Sequence, residues 1–124
     1  MKNVRFLVLA LIVLTVGCSS TTEPTNEPTK GPPNPPWLSK LIVEFQVQPV
    51  GNPPQSIWQY EFAGKTVYYV PPQCCDMFGL LYDADGTYIC APDGGIDGQG
   101  DGLCPNFRSE RTNERLVWKD FRTR

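Results

Sequence analysis

The 124-residue chain has no histidine, and its longest apolar run spans eleven residues. Without imidazole, Ser-His-Asp and Cys-His catalysis, the His-containing zinc sites and the usual physiological pH switch are all excluded. A run of eleven is too short to cross a bilayer as a helix, which needs roughly 20 residues. Charge is also sparse, at 19% of residues with a net charge of -2, and a pI near 5.0 gives no reason to expect a nucleic-acid partner. Proline and glycine are plentiful instead, 13 and 11 respectively, which rules out a long helical protein.

The apolar run occupies residues 6–16, after Lys2 and Arg5, and has the charge, length and position of a secretory signal peptide. It ends in Leu14-Thr15-Val16-Gly17-Cys18, which resembles the bacterial lipoprotein signal. That resemblance implies a leader at 1–17, acyl chains such as palmitate on Cys18, and a membrane partner reached through that lipid. Several acyl chains exceed what marginal one-chain attachment provides and give a stable anchor. Ser19 after the lipidated Cys is compatible with sorting to the outer membrane. Residues 19–36 hold six Pro and six Ser or Thr with no aliphatic or aromatic side chain, so residues 18–36 read as the lipidated Cys and a disordered tether.

The folded part, 37–124, is predicted as one small α+β domain with an N-terminal amphipathic helix on an antiparallel sheet of about 4–5 strands. Asn34 is a suitable cap before Pro35-Pro36, and Trp37, Leu38, Leu41, Ile42 and Phe45 recur on one helical face, predicting a helix over 35–47. Period-two alternation follows, with Trp58, Tyr60 and Phe62 on one side and Ile57, Gln59 and Glu61 on the other. Ala63-Gly64-Lys65 turns into TVYYV, and GLLYDADGTYIC predicts a second hairpin about Asp83–Gly86. One set of strand aromatics is core; the other either forms an exposed binding face or packs under the helix and loops. Residues 91–105 are loop by composition. Residues 107–121 are ambiguous between helix and closing strand, with Trp118 as a core anchor.

A domain this small needs staples. With Cys18 assigned to lipid, Cys74, Cys75, Cys90 and Cys104 form an even set in an oxidising compartment, predicting two disulfides. Adjacent Cβ atoms on an extended strand point to opposite faces, so Cys74 and Cys75 are each expected to cross to Cys90 or Cys104, with Cys75–Cys90 and Cys74–Cys104 slightly favoured. A vicinal redox pair at Cys74-Cys75, which would make the protein an envelope thiol-disulfide participant, is the competing reading.

Six Asp lie between 76 and 101 with no Lys or Arg among them, and Asp85, Asp93, Asp97 and Asp101 each adjoin glycine. Carboxylates on a winding backbone suit Ca²⁺, so these four are the candidate metal ligands; the alternative is an ordinary tight loop, since neither EF-hand nor nonapeptide spacing is present. Residues 108–124 carry six basic against three acidic side chains, a balance of +3. This tail either neutralises the acidic loop or faces anionic lipid or polysaccharide.

The runs YYVPPQCCD and CAPDGGIDGQGDGLCP, with LVWKD near the end, resemble an uncharacterised domain family of short bacterial lipoproteins and secreted proteins, over roughly residues 37–120. That resemblance implies an extracytoplasmic cysteine-paired module and no particular substrate. The expectation is a non-enzymatic binding or scaffolding protein with no resident cofactor, unless the loop takes Ca²⁺, and with a protein or glycan partner that the residues do not name.

Overall fold

A computed structural model describes residues 32–74 and 76–123. The expected leader, the expected lipid site Cys18, the expected tether up to residue 31 and Cys75 lie outside the described residues. In chain order the elements are α1 (Pro36–Val47), β1 (Ser56–Phe62), β2 (Lys65–Val70), β3 (Leu80–Asp83), β4 (Tyr88–Cys90), α2 (Phe107–Glu110) and β5 (Thr112–Lys119). The five strands form one antiparallel sheet in the order β4-β3-β2-β1-β5.

Helix α1 starts at a proline because a first-turn residue needs no N–H donor and proline's fixed φ suits the position. The cap differs from expectation. Pro35, not Asn34, occupies the N-cap, and its carbonyl accepts the Leu38 and Ser39 amides at 3.0 and 3.1 Å, with no side-chain cap. Ala63 and Gly64 both have positive φ, 49° and 73°, the requirement of a two-residue turn matched to strand twist, and this turn sets Phe62 opposite Lys65.

Both faces of the sheet are covered. On the helix face, Leu38 packs with Ile57, Tyr68 and Val70, and Phe45 stacks on Trp118 with centroids 5.9 Å apart. Trp118 is therefore a half-buried contributor, and Trp37 donates its indole N–H to Ala84 O at 3.0 Å, fastening α1 to the second hairpin. On the other face, Tyr60, Val67, Tyr69, Leu81 and the cysteines 90 and 104 surround Phe107, which is wholly buried. Both strand aromatic sets are thus interior. The ambiguous stretch 107–121 resolves into α2 followed directly by β5, whose pairing with β1 shifts register twice.

The expected disulfide pattern is corrected. Cys90 bonds to Cys104, with Cα atoms 6.2 Å apart, so neither is available to Cys74 or Cys75, and among the described residues one bridge is found where two were expected. The premise of an extended strand fails at Cys74, an exposed residue in a bend after Pro71-Pro72, with its carbonyl accepting the Met77 amide at 3.1 Å. Cys90 ends β4 and Cys104 precedes α2, which puts both on the loop-covered face beside Phe107.

Candidate functional site

The segment 91–106 has no helix or strand, yet it is tied down at many points. Its ends are joined by the Cys90–Cys104 bond and by Asp101 N donating to Ala91 O at 2.9 Å. It docks on residues 77–79 through Gly79 N to Asp93 O at 3.0 Å and Gly95 N to Met77 O at 3.1 Å, with Phe78 bridging Gly94 in an isolated antiparallel pair.

Asp93 is the buried anchor of this segment, 5% exposed. Its two oxygens accept the Tyr69 hydroxyl at 2.8 and 2.6 Å, and Oδ2 also accepts Arg108 Nη2 at 3.0 Å. Burial first, and then the bond to Asp93, pushes the Tyr69 phenol well above its ordinary range, so it stays a donor at neutral pH. A buried carboxylate paired in this way is a fastening of loop to core.

The other candidate ligands are spread along the chain. Asp85 accepts the Thr87 amide and hydroxyl at 2.9 and 2.6 Å within the β3–β4 turn; the Asp83 side chain first, then Thr87, holds its carboxyl below the usual range. Asp97 caps the Gln99 amide at 3.0 Å. Asp101 accepts Leu103 N at 2.9 Å, Ala91 N at 2.8 Å and Tyr88 OH at 2.7 Å, and the Leu103 amide leads in lowering its carboxyl. Among the described residues, no three His, Cys, Asp or Glu side chains gather as a group able to hold a metal ion.

From the basic tail, Arg108 reaches the acidic loop through Asp93, while Arg111 lies over the Tyr60 and Phe107 rings at 4.5 and 5.2 Å. Tyr60 donates to Glu114 at 2.7 Å, and burial, aided by that bond, pushes its hydroxyl up to about 12. Arg122 turns to the opposite side of the sheet. It pairs with buried Asp120 at 2.6 Å and donates to the carbonyls of Phe45, Gln46 and Gln48, so a cation sits where the helix dipole is negative. The tail therefore neutralises the loop at one point and serves the fold elsewhere.

Two concavities meet at Phe78. A groove of about 240 Å³ runs between α1 and the sheet, floored by Leu41, Phe45, Val70 and Tyr82. On the other side an open cleft of about 530 Å³ is lined by Asp76, Phe78, Gly95, Ile96, Asp97 and Gly100. Ile96 is 93% exposed at its rim. Sequence reasoning did not single out Phe78 and Ile96. For Ile96 the available signal was a lone large apolar side chain in the acidic, glycine-rich run 93–102; Phe78 stood among other apolar residues and carried none.

A family model described as "Domain of unknown function (DUF6970)" matches residues 43–120, more than half of the chain. No curated protein and no solved structure matches it.

Proposed function

The chain belongs to the DUF6970 family, and from that premise we propose that it is a lipid-anchored protein of the bacterial cell envelope whose domain binds or scaffolds a partner without enzymatic activity. The observation that carries this reading is the Cys90–Cys104 disulfide, with Cys90 fully buried and Cys104 8% exposed. A bond of this kind persists in an oxidising compartment, which agrees with the export leader and Cys18 of the sequence. The loop that the disulfide closes presents apolar and acidic side chains outward on a fixed backbone, a form suited to contact with a partner.

Expression of the full chain in a Gram-negative host tests the reading. The protein is expected in the detergent phase with labelled palmitate incorporated, and Cys18→Ala is expected to lose the label and move to the aqueous phase. Without reductant, Cys90 and Cys104 are expected to resist alkylation in the exported protein. Unchanged partition of Cys18→Ala, or free alkylation of Cys90, overturns it.

A further inference from the structure

We propose that the cleft between Phe78 and Ile96 docks an arginine or lysine side chain of a partner protein, its aliphatic stem packed on the apolar pair and its cation held between Asp76 and Asp97. This inference rests on the binding role proposed above and names the chemistry of the partner.

The apolar part of the cleft is built rigidly. Phe78 is held by its bridge to Gly94, and the loop opposite is wound by Gly98 N to Gly95 O and Gly100 N to Gly94 O at 3.2 and 3.1 Å. The Phe78 ring occupies the space where a side chain on residue 95 would start: a Cβ there would lie 2.7 Å from the ring. Only glycine permits that approach, and its φ of 74° is strained for other residues. Phe78 and Ile96 are 47% and 93% exposed on a backbone that these bonds hold, so little backbone ordering is needed on binding.

The charge selects the occupant. Between residues 66 and 107 there are six Asp and no Lys or Arg. Asp93 is matched by Arg108, but the described ion pairs reach neither Asp76 nor Asp97, and both are exposed at the cleft. Anionic lipid or polysaccharide would be repelled here, and a purely apolar occupant would desolvate two carboxylates without compensation. A long cationic side chain satisfies both halves of the cleft, since its stem is apolar and its head is charged. The phenylalanine face adds attraction for the cation. The domain already uses this chemistry internally, where Arg111 covers Tyr60 and Phe107 and Arg108 pairs with Asp93.

The test uses the isotope-labelled full chain in a neutral detergent, titrated with an end-blocked hexapeptide of alternating Arg and Leu. Amide shifts are expected at Phe78, Gly95, Ile96 and Asp97, with a dissociation constant of about 0.1–1 mM. Ile96→Ser, and separately Asp76→Asn with Asp97→Asn, are expected to weaken binding at least about fivefold, and added salt weakens it further. Asp85→Asn, which removes the same charge at the other end of β3, is expected to leave affinity unchanged, and a Glu-Leu peptide is expected not to bind. Shifts insensitive to Ile96→Ser, equal weakening by Asp85→Asn, or no shifts at saturating peptide overturn the site. Concentration-dependent shifts at the same residues without peptide overturn the assigned occupant in favour of a second copy of the chain. None of these results depends on Cys18, so failure here with palmitate labelling intact removes the cleft proposal and leaves the anchoring half of the functional reading standing.

Discussion

The two faces of the sheet are covered by different means. On one, α1 spreads a stripe of apolar side chains over Ile57, Tyr68 and Val70 at regular helical spacing. On the other, a segment without regular structure covers Tyr60, Val67, Tyr69 and Leu81, with Phe107 inserted among them. A helix satisfies its own backbone and needs only an apolar stripe to bind a sheet. An irregular cover has no such ladder, so it is fastened by a covalent bond at Cys90–Cys104, a buried carboxylate at Asp93 and amide caps from Asp97 and Asp101. Periodic cover is held by many weak equivalent contacts, and irregular cover by a few strong and unequal ones.

This contrast predicts unequal responses to damage. The largest effect is expected from Phe107→Ala, which removes a fully buried ring and should lower unfolding free energy by about 4 kcal/mol, against about 3 kcal/mol for Leu38→Ala under α1. Urea melts give the totals. Hydrogen exchange then shows whether 91–106 opens before α1 in the first variant, and equal opening of both covers would break the comparison. Next is Cys90→Ala with Cys104→Ala, expected to lose about 3 kcal/mol from a bridge separated by 14 residues, again with exchange rising first in the loop.

A smaller effect is expected at high pH. Tyr60 is pushed up to about 12 and Tyr69 beyond it, while an unfolded tyrosine ionises near 10. Folding therefore holds both phenols protonated. Their contribution is full below about pH 10 and is lost as pH rises from there through the folded values. Absorbance at the phenolate band should show these groups ionising together with loss of the near-UV circular dichroism signal, and early ionisation while the fold persists would count against the buried clasp. Smallest is Arg122→Ala, which frees the carbonyls at the end of α1 and should lower the melting temperature modestly. The bond from Arg122 leads in holding Asp120 low, so its contribution is present above the ordinary carboxylate range and is lost as pH falls below it. The variant should thus flatten the acid limb of the stability profile.

The same contrast explains what could be read from the sequence. Helix α1, the alternation of Trp58, Tyr60 and Phe62 against Ile57, and both hairpin turns follow from local periodicity and turn chemistry, and they stand where expected. The burial of Asp93 does not, because its partners Tyr69 and Arg108 lie 24 and 15 residues away and no period links them. Phe107 was hidden for the same reason, lying between a loop and a polar stretch with no repeating neighbour. The cysteine pairing failed at one physical premise, the extended geometry expected at Cys74, where the chain bends instead. Among the proposed metal ligands, composition showed the acids but not their directions, which depend on how each carboxylate caps its own turn.

The pairing of β1 with β5 has a consequence in time. Ser56 sits opposite Lys119, so the sheet gains its fifth strand only when a segment made some sixty residues later arrives. Pairings of such wide sequence separation form slowly, because the intervening chain must be closed into a loop first. During synthesis the helix and the two hairpins precede the strand that completes the sheet and the arginine that follows it. The centre of the sheet is thus made well before its last edge, and β1 keeps one side open for pairing until β5 closes it.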